Sequence, residues 1–110
     1  MRQELFQDVI DAVNAGYTSL LFIEELDDQQ LETLNQTIEA QEVVVDEIIL
    51  YALGSNIINF IRPIVENINK IRISDKLTEE AIAIMKGFLP ENMWDRVKTA
   101  YFSISLMVDD

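Results

Sequence analysis

The chemistry open to this chain of 110 residues is set by its 20 carboxylates and by the absence of histidine and cysteine. Without imidazole or thiolate there is no zinc or iron–sulfur ligand set, no haem held through His or Cys, no cysteine nucleophile and no histidine base to activate a serine. Carboxylates alone could bind a hard cation or perform acid–base work. The densest group, Glu24, Glu25, Asp27 and Asp28, offers oxygens for Ca²⁺ or Mg²⁺ but lacks the alternating acids, the glycine and the twelfth-position Glu of an EF-hand loop. Asp27 or Asp28 reads better as the N-cap of a following helix. No two acids are singled out as the flanking pair that glycoside hydrolysis needs. The glycines, at 16, 54 and 87, are isolated, so there is neither a phosphate-cradling loop nor a dinucleotide fingerprint. Gly54-Ser55 lacks the flanking glycines of a nucleophile elbow. The expectation is a protein that is not an enzyme and uses no metal or cofactor.

What the carboxylates do supply is charge. The formal net charge is −12, and it is unevenly spread: residues 1–50 hold twelve acids and one base, Arg2, whereas residues 51–110 hold eight acids and seven bases. A helix that is merely soluble usually interleaves Lys with Glu at four-residue spacing, and the first half does not. Ten of its acids, Glu4, Asp8, Asp11, Glu24, Glu25, Asp27, Asp28, Glu32, Glu39 and Asp46, form the expected partner-binding surface. On one continuous helix, Glu32, Glu39 and Asp46 would make a stripe with a rise of about 10 Å between successive carboxylates. Such a surface repels phosphate, which argues against direct binding to nucleic acid or an anionic membrane. It suits a basic protein partner, one that itself handles nucleic acid.

The elements that must position these acids read as helical almost throughout. Leu5, Val9, Ala12 and Val13 predict a helix over Gln3–Ala15, with Gly16 as its stop. Tyr17–Ile23 is ambiguous, because Tyr, Thr, Phe and Ile favour a strand, but a lone strand would lack a partner unless Val43–Val45 supplies one; helix is expected and a small β element at 17–23 is the alternative. Leu31, Leu34, Ile38, Val45, Ile48 and Ala52 predict one long helix, or two with a break near Gln41, ending at Gly54. Ile57, Ile61, Ile64, Ile68 and Ile71 continue helical spacing, with Pro63 kinking or restarting the helix. Thr78 to Gly87 reads as a short helix, and Pro90 opens a last one carrying Met93, Trp94, Val97, Tyr101 and Ile104.

The expected fold is therefore all-α: one compact domain over residues 1–110, a bundle of five or six helices without internal repeats. Met-Arg-Gln-Glu leads into an amphipathic pattern rather than an apolar signal core, and every apolar run falls far below the roughly 18 residues of a membrane span, so a cytoplasmic location is expected. The expected function is that of a small acidic binding protein that docks on a basic, nucleic-acid-handling protein and inhibits or regulates it, as a nucleic-acid mimic would. In size, acidity and lack of motifs the chain resembles phage-encoded inhibitors and nuclease immunity proteins, a viral-type character that rests on composition and covers no motif. The alternative is a structural or assembly protein, a helical adaptor, chaperone or virion component that pairs as a homodimer through its isoleucine-rich helices.

Overall fold

The computed structural model describes residues 1–88 and 97–99. It contains four α-helices and a parallel sheet, so the all-α helical bundle is incorrect. Along the chain the elements are α1 (Gln3–Asn14), β1 (Ser19–Phe22), α2 (Asp28–Gln41), β2 (Glu47–Leu50), α3 (Ser55–Ile61), a 3₁₀ helix at Arg62–Asn67, β3 (Lys70–Ile73), α4 (Thr78–Met85) and β4 (Val97–Thr99).

Local chemistry explains both the agreements and the departures. α1 buries Phe6, Val9, Ile10 and Val13 on one stripe. It ends as a Schellman motif: Gly16, at φ +86°, donates its N–H to the Val13 carbonyl, and Tyr17 donates to the Ala12 carbonyl, each at 3.0 Å. Residues 17–23, where strand and helix preferences compete, contain β1. Asp27 caps α2 in a capping box, accepting from the Gln30 N–H at 2.7 Å while Gln30 Oε1 accepts from the Asp27 N–H at 3.1 Å. The same C-terminal hydrogen-bond pattern then closes α2, with Glu42 in the left-handed region at φ 54° instead of a glycine.

Beyond Glu42 the expected helix through Ala52 gives way to β2. Val43–Val45 and Ile48–Ile49 are β-branched, losing rotamer freedom in a helix and fitting a pleated surface. The isoleucine track is likewise divided. Ile57 and Ile61 belong to α3, Pro63 sits in the first turn of the 3₁₀ helix, Ile68, the extended residue that follows it, enters the core, and Ile71 and Ile73 alternate along β3. Most of the helix expected from Pro90, including Trp94, lies outside the described residues, and Val97–Thr99, assigned to it, is β4.

The sheet runs in strict chain order, β1-β2-β3-β4, every pair parallel. Ser19 pairs with Glu47 and Glu47 with Lys70, while Ile71 pairs with Val97, so helix–strand units recur about every 23–28 residues. The recurrence is one of helix–strand units in the fold; it leaves the reading of no internal sequence repeat as it stands. Right-handed crossovers that all advance in one direction place the helices on a single face of the sheet. Burial agrees. Leu20 and Phe22, Ile48 and Leu50, and Ile71 and Ile73 are all buried, and they join Leu26, Leu34, Ile57, Phe60 and Ile61 in one core. Phe22 and Phe60 meet edge to face at 5.6 Å, tying β1 to α3.

Candidate functional site

The residues between those buried positions define the other face of the sheet. Ser19 and Lys70 are exposed, and Leu21, Glu47, Ile49, Tyr51 and Arg72 are half-buried. Parallel sheets are normally covered on both faces. Here one face carries the core and, among the described residues, no helix packs on the other. Across it runs a polar ladder: the Ser19 hydroxyl donates to Glu47 Oε1 at 2.7 Å, and Arg72 Nε donates to Glu47 Oε2 at 2.9 Å. One carboxylate therefore joins three neighbouring strands. Tyr51, continuing the β2 alternation onto this face, has its hydroxyl pKa pushed up by burial, with the Arg72 charge offsetting part of the effect. The aliphatic Leu21 and Ile49 flank the ladder. Leu21 is in register with Ile49, and Ile49 with Arg72.

The expected acidic surface is distributed differently from the sequence reading. Glu4, Asp8 and Asp11 are exposed on one face of α1, and Asp28, Glu32 and Glu39 are exposed on α2. Asp46 does not extend the α2 stripe. It lies half-buried at the entry to β2, where its N–H donates to the Thr18 carbonyl and its own carbonyl accepts from Asn69 and Lys70. Glu42 at the end of α2 is what separates it from Glu32 and Glu39.

The Glu24–Asp28 group that could have gathered a cation is engaged in holding loops together. Glu24 accepts from the Arg2 backbone N–H at 2.8 Å and from Arg2 Nε at 3.1 Å. That backbone N–H, helped by the Arg2 charge, holds its carboxyl below the ordinary value. Glu25 Oε1 accepts from the Leu26 N–H at 2.9 Å and the Ile57 N–H at 3.3 Å. The latter is an orphan donor in the first turn of α3, whose N-cap Gly54 offers no side chain, so Glu25 caps α3 from another loop. Gly54 is required for this, since a Cβ there would lie 0.9 Å from Glu25 Oε2. Asp27 caps α2, and Asp28 accepts from Asn56 Nδ2 at 2.9 Å while the same amide donates to the Leu26 carbonyl at 3.0 Å. Among the described residues no three acids converge as a metal-ligand set.

These stitches occupy the carboxyl ends of β1 and β2, where open α/β sheets usually bind small ligands at a reversal of strand order. The order here has no reversal. A different feature was missed at the sequence level. An apolar groove of about 170 Å³ lies between α1 and the outer edge of β1, with Leu5, Val9, Ala12, Leu21 and Ile23 in its walls and Asp8 beside them. The signal that could have found it is the apolar flank Leu5, Val9 and Ala12, which is broader than the stripe α1 needs for the core. Among the described residues no helix is long and apolar enough to cross a membrane. No protein-family model, curated protein or solved structure matches the chain, and its functional reading rests on this geometry and charge.

Proposed function

We propose that the chain is a non-enzymatic, cytoplasmic binding protein that engages a basic protein partner and regulates it, with the sheet face opposite the core as the contact surface. The observation that supports this reading is a parallel sheet on one face of which no helix packs among the described residues, and which carries half-buried Leu21 and Ile49 beside a Glu47–Arg72 pair. Mixed apolar and polar surface on a rigid sheet binds without the ordering cost of a flexible segment. Stacked helix–strand units use such extended faces for recognition. The sign of the partner follows from the exposed acids of α1 and α2 and the net charge of −12. A protein whose cationic surface handles nucleic acid fits that sign, and occupying the surface would inhibit it.

The test is capture of partners by the full chain at low and high salt, followed by kinetics on a purified partner. Ile49→Glu should abolish binding at both salt concentrations. Glu4→Lys with Asp11→Lys should slow association and flatten its salt dependence while leaving helix content unchanged. Native-like binding by both variants would refute the reading. A tight, salt-insensitive homo-oligomer in sedimentation would favour an assembly role instead.

A further inference from the structure

The outer edge of β1 carries a second opportunity, built from backbone rather than from the open face. Among the described residues β1 pairs with β2 alone. Its ladder bonds run through Thr18 and Phe22, whose carbonyls accept from the Glu47 N–H at 3.2 Å and the Tyr51 N–H at 2.9 Å. In a parallel ladder the intervening residues turn their N–H and C=O groups the other way. The backbone groups of Ser19, Leu21 and Ile23 thus face the free edge, where the described residues provide no further strand. Alongside that edge lies the groove whose far wall is Leu5, Val9 and Ala12 of α1. Ile23 is 42% exposed there. At about 170 Å³ the groove is smaller than the roughly 300–1,000 Å³ of small-molecule sites, and its volume suits single side chains of an extended chain.

We infer that this edge accepts an extended, basic peptide segment of a partner protein as an added strand. The main chain would bond to Leu21 and its neighbours, alternate apolar side chains would enter the α1–β1 groove, and Lys or Arg between them would meet the acids of α1. Charge complementarity chooses this occupant. Asp8 is the charged side chain lining the groove, Glu4 and Asp11 share the exposed face of α1 with it, and Arg2 is already held by Glu24. A second copy pairing β1 to β1 would bring two such acidic helices together, a like-charge contact that disfavours it. The inference shares with the proposed function the sign of the partner's charge and one residue, Leu21, which borders both the groove and the open face.

The probe is an acetylated and amidated octapeptide, Lys-Val-Lys-Val-Lys-Val-Lys-Thr, added to the isotope-labelled full chain. Amide hydrogen exchange at Leu21 and Ile23 should slow about tenfold when free peptide stands at ten times Kd. A counterpart N-methylated at every central residue keeps the charge but blocks the edge, and it should not protect these amides. Ala12→Phe, which fills the groove, should abolish peptide binding, and Asp8→Lys should weaken it about three- to tenfold. Ile49→Glu, on β2 and outside the groove lining, should leave it unchanged, so failure here is separable from failure of the proposed function. Equal binding of the two peptides with unaltered exchange at Leu21 and Ile23 would reduce the effect to surface adsorption and overturn the inference. So would a native dimer that protects the same amides, or loss of binding in Ile49→Glu alone.

Discussion

Gly54→Ala gives the sharpest test of how the loops at the carboxyl end of the sheet are held. The added Cβ would sit 0.9 Å from Glu25 Oε2, so the carboxylate must leave. It would give up the Leu26 and Ile57 N–H groups, at 2.9 and 3.3 Å. Loss of a helix cap costs about 0.5–2 kcal/mol, and leaving a shielded N–H without a partner costs about 1–3 kcal/mol. Gly54 is at φ −144°, an extended conformation open to any residue, so backbone strain adds nothing. Gly54→Ala should therefore cost about 2–3 kcal/mol and Glu25→Ala about 1–2 kcal/mol. In the Glu25→Ala background the three atoms nearest that Cβ are gone, and Gly54→Ala should then be nearly free. Urea unfolding of the four proteins would give the coupling, expected at about 2–3 kcal/mol, the whole cost of Gly54→Ala in the wild type. Additive losses would refute the trans-capping argument, because they would show that Gly54 matters for a reason unconnected with Glu25.

Glu42→Gly should raise stability by about 0.5–1 kcal/mol in urea titration, since the left-handed conformation costs a side-chain-bearing residue about 1–2 kcal/mol and glycine returns part of this through its freer unfolded chain. Leu50→Ala, in the middle of the core, should cost about 2–5 kcal/mol by the same measurement. Two pH effects have opposite senses. The lowered pKa of Glu24 gives a contribution present above the ordinary 4.5 and lost as pH falls through the lowered value, so Glu24→Gln should flatten the acid limb of thermal stability. The raised pKa of Tyr51 gives a contribution present below the ordinary 10.0 and lost as pH rises through the raised value, so Tyr51→Phe should flatten the alkaline limb.

The parts of the fold legible in the sequence are those fixed by neighbours in the chain. Gly16 closes α1, Asp27 opens α2 and the Thr78 helix forms, because each depends on caps and spacing within a few residues. The strands were lost to a coincidence of period. Ile68, Ile71 and Ile73 mix a three-residue step into the strand with a two-residue step along it, and after Ile57, Ile61 and Ile64 that sequence continues a helical rhythm. A strand at 17–23 lacks a convincing partner in the sequence because Val45, Ile48 and Ala52 fit a helical track; the partner of Ser19 is Glu47, just beyond the one alternative, Val43–Val45, and reached through the whole of α2. At the site, the exposure of Glu4, Asp8, Asp11, Glu32 and Glu39 follows from amphipathic spacing. The Ser19–Glu47–Arg72 ladder could not be read, since it joins residues that only the register brings together.

The position of the charge acquires a second meaning once the sheet is known. A sheet built in chain order leaves β1 at one end, and an edge with Leu21 and Ile23 beside it, unpaired among the described residues, is a template for pairing with any exposed strand. Proteins guard such edges with brevity and charge. β1 has four residues, and α1, lying along it, carries acids on its exposed face with no lysine among them. The guard is selective because it has one sign: it opposes a second copy of this acidic chain while leaving the edge attractive to a basic segment. The absence of interleaved lysine, which stabilising the helix alone would not favour, is then what allows one short strand to stay unpaired against its own kind and still be available to a partner.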